Sequence, residues 1–206
     1  MAAGRPTLPS LLLDGVASSI LHVSQLASLL GLEWPAQLEA SRIAWDATAI
    51  LEGWLHAIRP LDFETLTQPT PSRGRSLRNL TVNVFHPFEL LPTAFDARWF
   101  DWDPALDEAR EVELQDSASV VGYATDRYLA WHEWLATHEG QFVDCDREID
   151  SPRGTLTYAN LIASQRFHAA FHYRQLLAVL EEGSHDLTGL LSLTSLADLR
   201  LPRKVF

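Results

Sequence analysis

The chain has 206 residues with 47% hydrophobic content, enough to bury one substantial core and cramped for two full domains. Its formal charge of −11, with Lys204 the single lysine, lacks the diffuse positive surface that non-specific phosphate binding requires, so no nucleic-acid partner is expected. One cysteine, Cys145, rules out an internal disulfide framework, a multi-cysteine zinc site and a CxxC redox pair, and the expected location is the cytoplasm.

The apolar stretch from Leu8 to Leu32 is broken by Asp14, His22, Gln25 and several serines, and only Arg5 precedes it. It fits neither a membrane span nor a cleaved leader, and no membrane partner is expected. Residues 1–34 read instead as an amphipathic helical extension packed on the main body, residues 35–206.

From Pro35 to Pro60, apolar residues at Ile43, Ala47, Ile50, Trp54 and Ile58 keep a helical period, with proline suited to the first turn and again to the stop. Residues 62–75 gather Pro, Thr, Ser, Gly and Arg without periodicity and read as a loop, after which Ser76 is placed to cap a second helix. That helix, Ser76 to about Phe100, carries Leu77, Leu80, Val84, Leu91 and Phe95 on one stripe. Pro87 and Pro92 fall inside it and predict a kink or break near residues 83–92.

The acidic run from Asp101 to Asp116 lacks EF-hand loop spacing and reads as a solvated linker or short helix. Ser117 to Glu139 forms a third helix lined by Val121, Ala124, Tyr128, Trp131 and Leu135, with Gly140 as its stop. Gln141 to Leu156 is an ordered connection or short hairpin around the SPRG turn at 151–154. The fourth helix, from near Thr157 to Glu182, repeats Tyr158, Leu161, Gln165, His168, His172, Leu176 and Val179 at steps of three and four, and Gly183 closes it. Long helices joined by loops predict an all-α fold, a four-helix bundle with an additional N-terminal helix.

The chemistry-bearing pattern is His168-Ala-Ala-Phe-His172, which sets two imidazoles on one helix face about 5–6 Å apart at Cβ. Leu161, Leu176 and Val179 on the same stripe turn both rings toward the interior, where a shared cation satisfies them together. The same spacing also suits a half-buried seam in which each ring bonds a carbonyl or carboxylate, and spacing alone leaves both open. Ala169 stands where a zincin carries its glutamate base, so metalloprotease chemistry is disfavoured. Serine-hydrolase, Rossmann and P-loop motifs are absent from the sequence.

The segment YANLIASQRFHAAFHYRQL (158–176) resembles the last bundle helix of the DinB/YfiT-like superfamily, in which an HxxxH pair precedes a Gln-aliphatic sequence. PSRGRSLRNLTVNVFH (71–86) is similar to that family's second helix, which supplies a third histidine. The family's usual position, seven residues after the serine, is Asn83 here, and the nearest histidine, His86, lies one turn further on. The resemblance therefore implies His86, His168 and His172 as metal ligands, with Asn83, Glu89 or water as alternatives for the third place.

It further implies a divalent cation, zinc by default with nickel, iron or copper as options on nitrogen ligands, and an open coordination position of the catalytic kind. Characterised relatives of this type are thiol-dependent transferases and isomerases acting on small electrophiles. This predicts a small-molecule substrate, a low-molecular-weight thiol partner and, by analogy, Arg174 on a substrate carboxylate. SLADLRLPRKVF (195–206) resembles the tail of a branch whose members can be fused to glutaredoxin. Bundles of this type often pair, so a homodimer is expected. A non-catalytic bundle with a structural or vestigial site is the competing expectation.

Cys145, in the acidic context VDCDRE, is not expected to react, because neighbouring carboxylates raise a thiol pKa. His132 and Glu133, between Trp131 and Trp134, are expected to be packed or surface residues, as are His22, His56, His138 and His185.

Overall fold

The computed structural model describes residues 36–71, 74–103, 105–138, 144–196 and 198–202. The expected N-terminal helix, the stop at Gly140 and the last four residues of the tail lie outside them.

Six helices and one hairpin follow in chain order among the described residues: α1 (Ala36–Ile58), α2 (Phe63–Thr67), α3 (Leu77–Ala97), α4 (Ala105–Glu113), α5 (Ser117–His138), the antiparallel pair β1 (Glu148–Ser151) and β2 (Gly154–Thr157), and α6 (Tyr158–Glu182). A short 3-10 turn at Leu193–Leu196 follows. The protein is thus mostly helical, and no described helix is long and apolar enough to cross a membrane.

α1 and α3 each pack on both α5 and α6. α1 buries Ala40, Ala44, Ala47, Ile50, Leu51, Trp54 and Ile58, a spacing of three and four that gives one apolar face. Two tryptophans lock this core with polar contacts. Trp54 Nε1 donates to Thr81 Oγ1 at 3.0 Å, joining α1 to α3, and Trp131 Nε1 donates to Thr48 Oγ1 at 2.9 Å, joining α5 to α1. Each threonine hydroxyl passes its own proton to a carbonyl one turn back, Leu77 O or Ala44 O, so both indoles are buried without an orphan donor. Thr81→Val keeps the volume and removes the acceptor, and is expected to cost about 1–3 kcal/mol in urea unfolding with the slope unchanged. A loss under about 0.3 kcal/mol would show that this hydrogen bond contributes little.

α3 runs unbroken through Pro87 and Pro92, so the expected break is absent. An internal proline costs about 3 kcal/mol. Here Leu80, Val84, Phe88, Leu91 and Phe95, all fully or nearly fully buried, offset that cost by clamping the helix on both sides. Ser76 caps its start by accepting from Asn79 N–H, and Arg98 ends it in the left-handed conformation at φ 56°.

The acidic stretch forms α4 with an inverted pattern: Leu106 and Val112 are 52% and 64% exposed, while Asp107 is 2% exposed. The hairpin turns at Pro152 and Arg153, and Gly154 follows at φ 115°, backbone that suits glycine. Phe100 N–H donates to Asp150 O at 2.8 Å and Asp150 N–H to Arg98 O at 3.0 Å, so the chain leaving α3 is tied to β1. Thr157 caps α6 by accepting from Asn160 N–H.

Candidate functional site

α6 places His168 and His172 one turn apart, with ring centroids 4.6 Å apart and planes nearly perpendicular. His172 is buried, and its Nδ1–H donates to Gln175 Oε1 at 2.7 Å. His168 is part-exposed as a residue, yet its Nδ1 is fully covered and has no hydrogen-bond partner. Its Nε2–H donates to Asn83 Oδ1 at 3.1 Å.

Asn83 faces α6 from α3, 3% exposed. With its oxygen on His168, its Nδ2 donates to Asp107 Oδ2 at 2.8 Å. The other oxygen of Asp107 accepts from His86 Nδ1–H at 2.6 Å, and His86 is 1% exposed. One continuous chain therefore runs His86, Asp107, Asn83, His168, with His172 against the last ring. His86 and His172 share a device common to metal-binding imidazoles, an Nδ1–H held by an oxygen.

Burial drives the His168 pKa down to about 3, with the neighbouring His172 and the Arg75 charge adding to the effect. Its ring is neutral at physiological pH, with the Nδ1 lone pair inward. Trp102 packs edge-on against it at 4.9 Å between centroids, and the Trp102 indole N–H is likewise buried and unpartnered. An orphan acceptor and an orphan donor thus lie on adjoining rings, a pattern that native interiors rarely keep without a ligand or water.

A cation fits this donor set in part. The neutral His168 ring with its unpartnered Nδ1, beside His172 with Nδ1–H held by Gln175, suits a nitrogen-binding ion. Among the described residues, however, no three His, Cys, Asp or Glu side chains are grouped so as to hold one. Asn83 stands between His86 and His168 instead.

Other expected residues lie apart from this cluster. Glu89 is taken by Arg110 at 2.8 Å and Arg127 at 3.3 Å. Arg174 donates to the Pro202 carbonyl and does not line the cavity that ends at Asn83. His132 packs against Trp45 and Tyr128, Glu133 is exposed, and Cys145 is buried.

Comparison with family models, curated proteins and solved structures gives no significant match.

Asp107, Trp102, Gln175 and Arg75 were not anticipated from the sequence. Gln175 had a legible signal, one turn beyond His172 and followed by an aliphatic residue. Asp107 had none, because α4 turns its carboxylate inward and its leucine outward.

Proposed function

We propose that the protein is a cytoplasmic, metal-dependent enzyme of the DinB/YfiT-like type, built as a four-helix bundle and acting with a low-molecular-weight thiol as a transferase or isomerase on a small electrophile. The observation that carries this reading is the unpartnered Nδ1 of His168 beside His172, whose Nδ1–H is held by Gln175, with His86 joined to the same polar chain through Asp107 and Asn83. The resemblance of 158–176 and 71–86 to that family supplies the reaction class.

A bound divalent ion, zinc by preference, supplies Lewis acidity and a lowered pKa for a thiol or water. The chain's own contribution is orientation and dryness. Asp107 and Gln175 set two imidazoles, Trp102 covers the third, and Asn83 holds the Nε2–H of that third ring with its amide oxygen. In this reading His86 joins His168 and His172 as the third ligand, Arg174 is assigned to a substrate carboxylate by analogy, and two copies pair as a homodimer.

A second reading has one specific observation in its favour. Asn83 already closes the polar chain between Asp107 and His168, which fits a non-catalytic bundle with a vestigial centre. Elemental analysis after zinc reconstitution separates the two. The enzyme reading expects about one equivalent per chain, lost in His172→Ala, together with thiol consumption when electrophiles are added. Trace metal in the reconstituted wild type, or full metal with no turnover on any common thiol, supports the second reading.

A further inference from the structure

A cavity of about 460 Å³ opens beside the histidine cluster, with Asn83 and Asp107 in its wall. That volume is in the range that accommodates small-molecule ligands. The ionic groups around it are unequal in their commitments. Asp107 spends both oxygens on His86 and Asn83. Glu111 accepts from Ser76, Arg78 and Asn79, which also occupies the Arg78 guanidinium.

Arg75 is different. It lines the cavity, it is half-buried, and its side chain makes no ion pair or hydrogen bond among the described residues. The backbone is nonetheless fixed: Thr70 N–H donates to Arg75 O at 2.8 Å, and Pro69 bridges to Ser76. The Arg75 charge also reaches His168, whose protonation it opposes. A cavity-lining arginine with an anchored backbone and an uncommitted charge that reaches a neutral imidazole is a place for an anion. Glu108, in the same wall and unpaired among the described residues, opposes a second negative charge.

We propose that this cavity binds a small monocarboxylate, with Arg75 gripping the carboxylate and the rest of the molecule directed toward Asn83 and His168. This deepens the enzyme reading by naming the substrate class, and it places the carboxylate on Arg75 rather than on Arg174. The planar fork of Arg75 matches a carboxylate through two parallel hydrogen bonds, which a lysine cannot reproduce.

The experiment is a two-dimensional amide NMR titration of metal-free protein, so that a carboxylate cannot be captured by zinc, with acetate, propionate and benzoate as probes. Benzamide serves as the uncharged counterpart of benzoate, and succinate and inorganic phosphate as dianions. The expected result is saturable shifts at Arg75–Asn83 with at least one monocarboxylate, weakened at least tenfold in Arg75→Gln and to an intermediate degree in Arg75→Lys, with no saturable shift for benzamide. Matching spectra of the two variants outside the cavity establish that both are folded. Absence of a saturable shift with all three acids, equal affinity in Arg75→Gln, or tighter binding of succinate or phosphate would overturn the assignment. The metal reading is scored separately, because His172→Ala removes its metal and is expected to keep the carboxylate shifts.

Discussion

Replacing Asp107 with alanine is expected to lower unfolding stability by about 2–5 kcal/mol. The carboxylate is 2% exposed and is the shared acceptor for His86 Nδ1–H and Asn83 Nδ2. Its removal leaves two buried donors without a partner, each costing about 1–3 kcal/mol. For a chain of this size that is a fall in Tm of roughly 4–20 °C. Asp107→Asn keeps the shape and can accept from only one donor through its amide oxygen, so about half the loss is expected. The same change frees the His86 ring to rotate. If His86 is a ligand, zinc affinity falls by about 10–100-fold, the usual cost of losing an orienting partner. Urea unfolding and competitive zinc titration of the two variants measure these effects. An Asp107→Ala protein within about 0.5 kcal/mol of wild type would mean that the chain from His86 to His168 is not cooperative.

Acid should expose the burial of His168. Its folded pKa is about 3, against 6.5 for the unperturbed side chain. Above pH 6.5 both the folded and unfolded chains carry a neutral imidazole, and stability is at its full value. As pH falls from 6.5 toward 3 the unfolded chain takes up a proton that the folded one refuses, so stability declines by up to about 1.4 kcal/mol per pH unit. His168→Gln removes that proton. Between pH 6.5 and 4 the metal-free variant is therefore expected to lose roughly 2–3.5 kcal/mol less stability than metal-free wild type. Carboxylates elsewhere titrate alike in both proteins and cancel in the difference. Parallel pH profiles for the two would show that the ring is solvated enough to protonate in the folded state.

The sequence made the long helices legible because their apolar residues recur at three and four, and the residues bounding them are ordinary caps: Ser76 before α3 and Thr157 before α6. The inward turn of the histidine pair was legible for the same reason, since Leu161 and Leu176 share its stripe and are buried with it. The SPRG turn announced the hairpin. What local pattern did not show was tertiary. Pro87 and Pro92 predict an interruption when α3 is considered alone, and packing against α5 and α6 overrides it. α4 was misleading in a different way: helical amphipathy predicts Leu106 and Val112 inward, whereas polar complementarity to His86 and Asn83 turns Asp107 inward instead. Arg75 became visible only when the fold showed which charges were already spent.

The way α4 is attached has a consequence for access to the cavity. Asp107 is its single buried side chain among those described. What fastens the helix is charge and polarity: Asp107 to His86 and Asn83, Glu111 to Ser76, Arg78 and Asn79, and Arg110 to Glu89. Apolar burial is nearly indifferent to ionic strength, while partly exposed ion pairs weaken as the Debye length shortens from about 10 Å at 0.1 M to about 3 Å at 1 M salt. Concentrated salt should therefore loosen this wall while the tryptophan-pinned interior holds, and amide protons of residues 106–113 would exchange faster with solvent than those of α1 or α6.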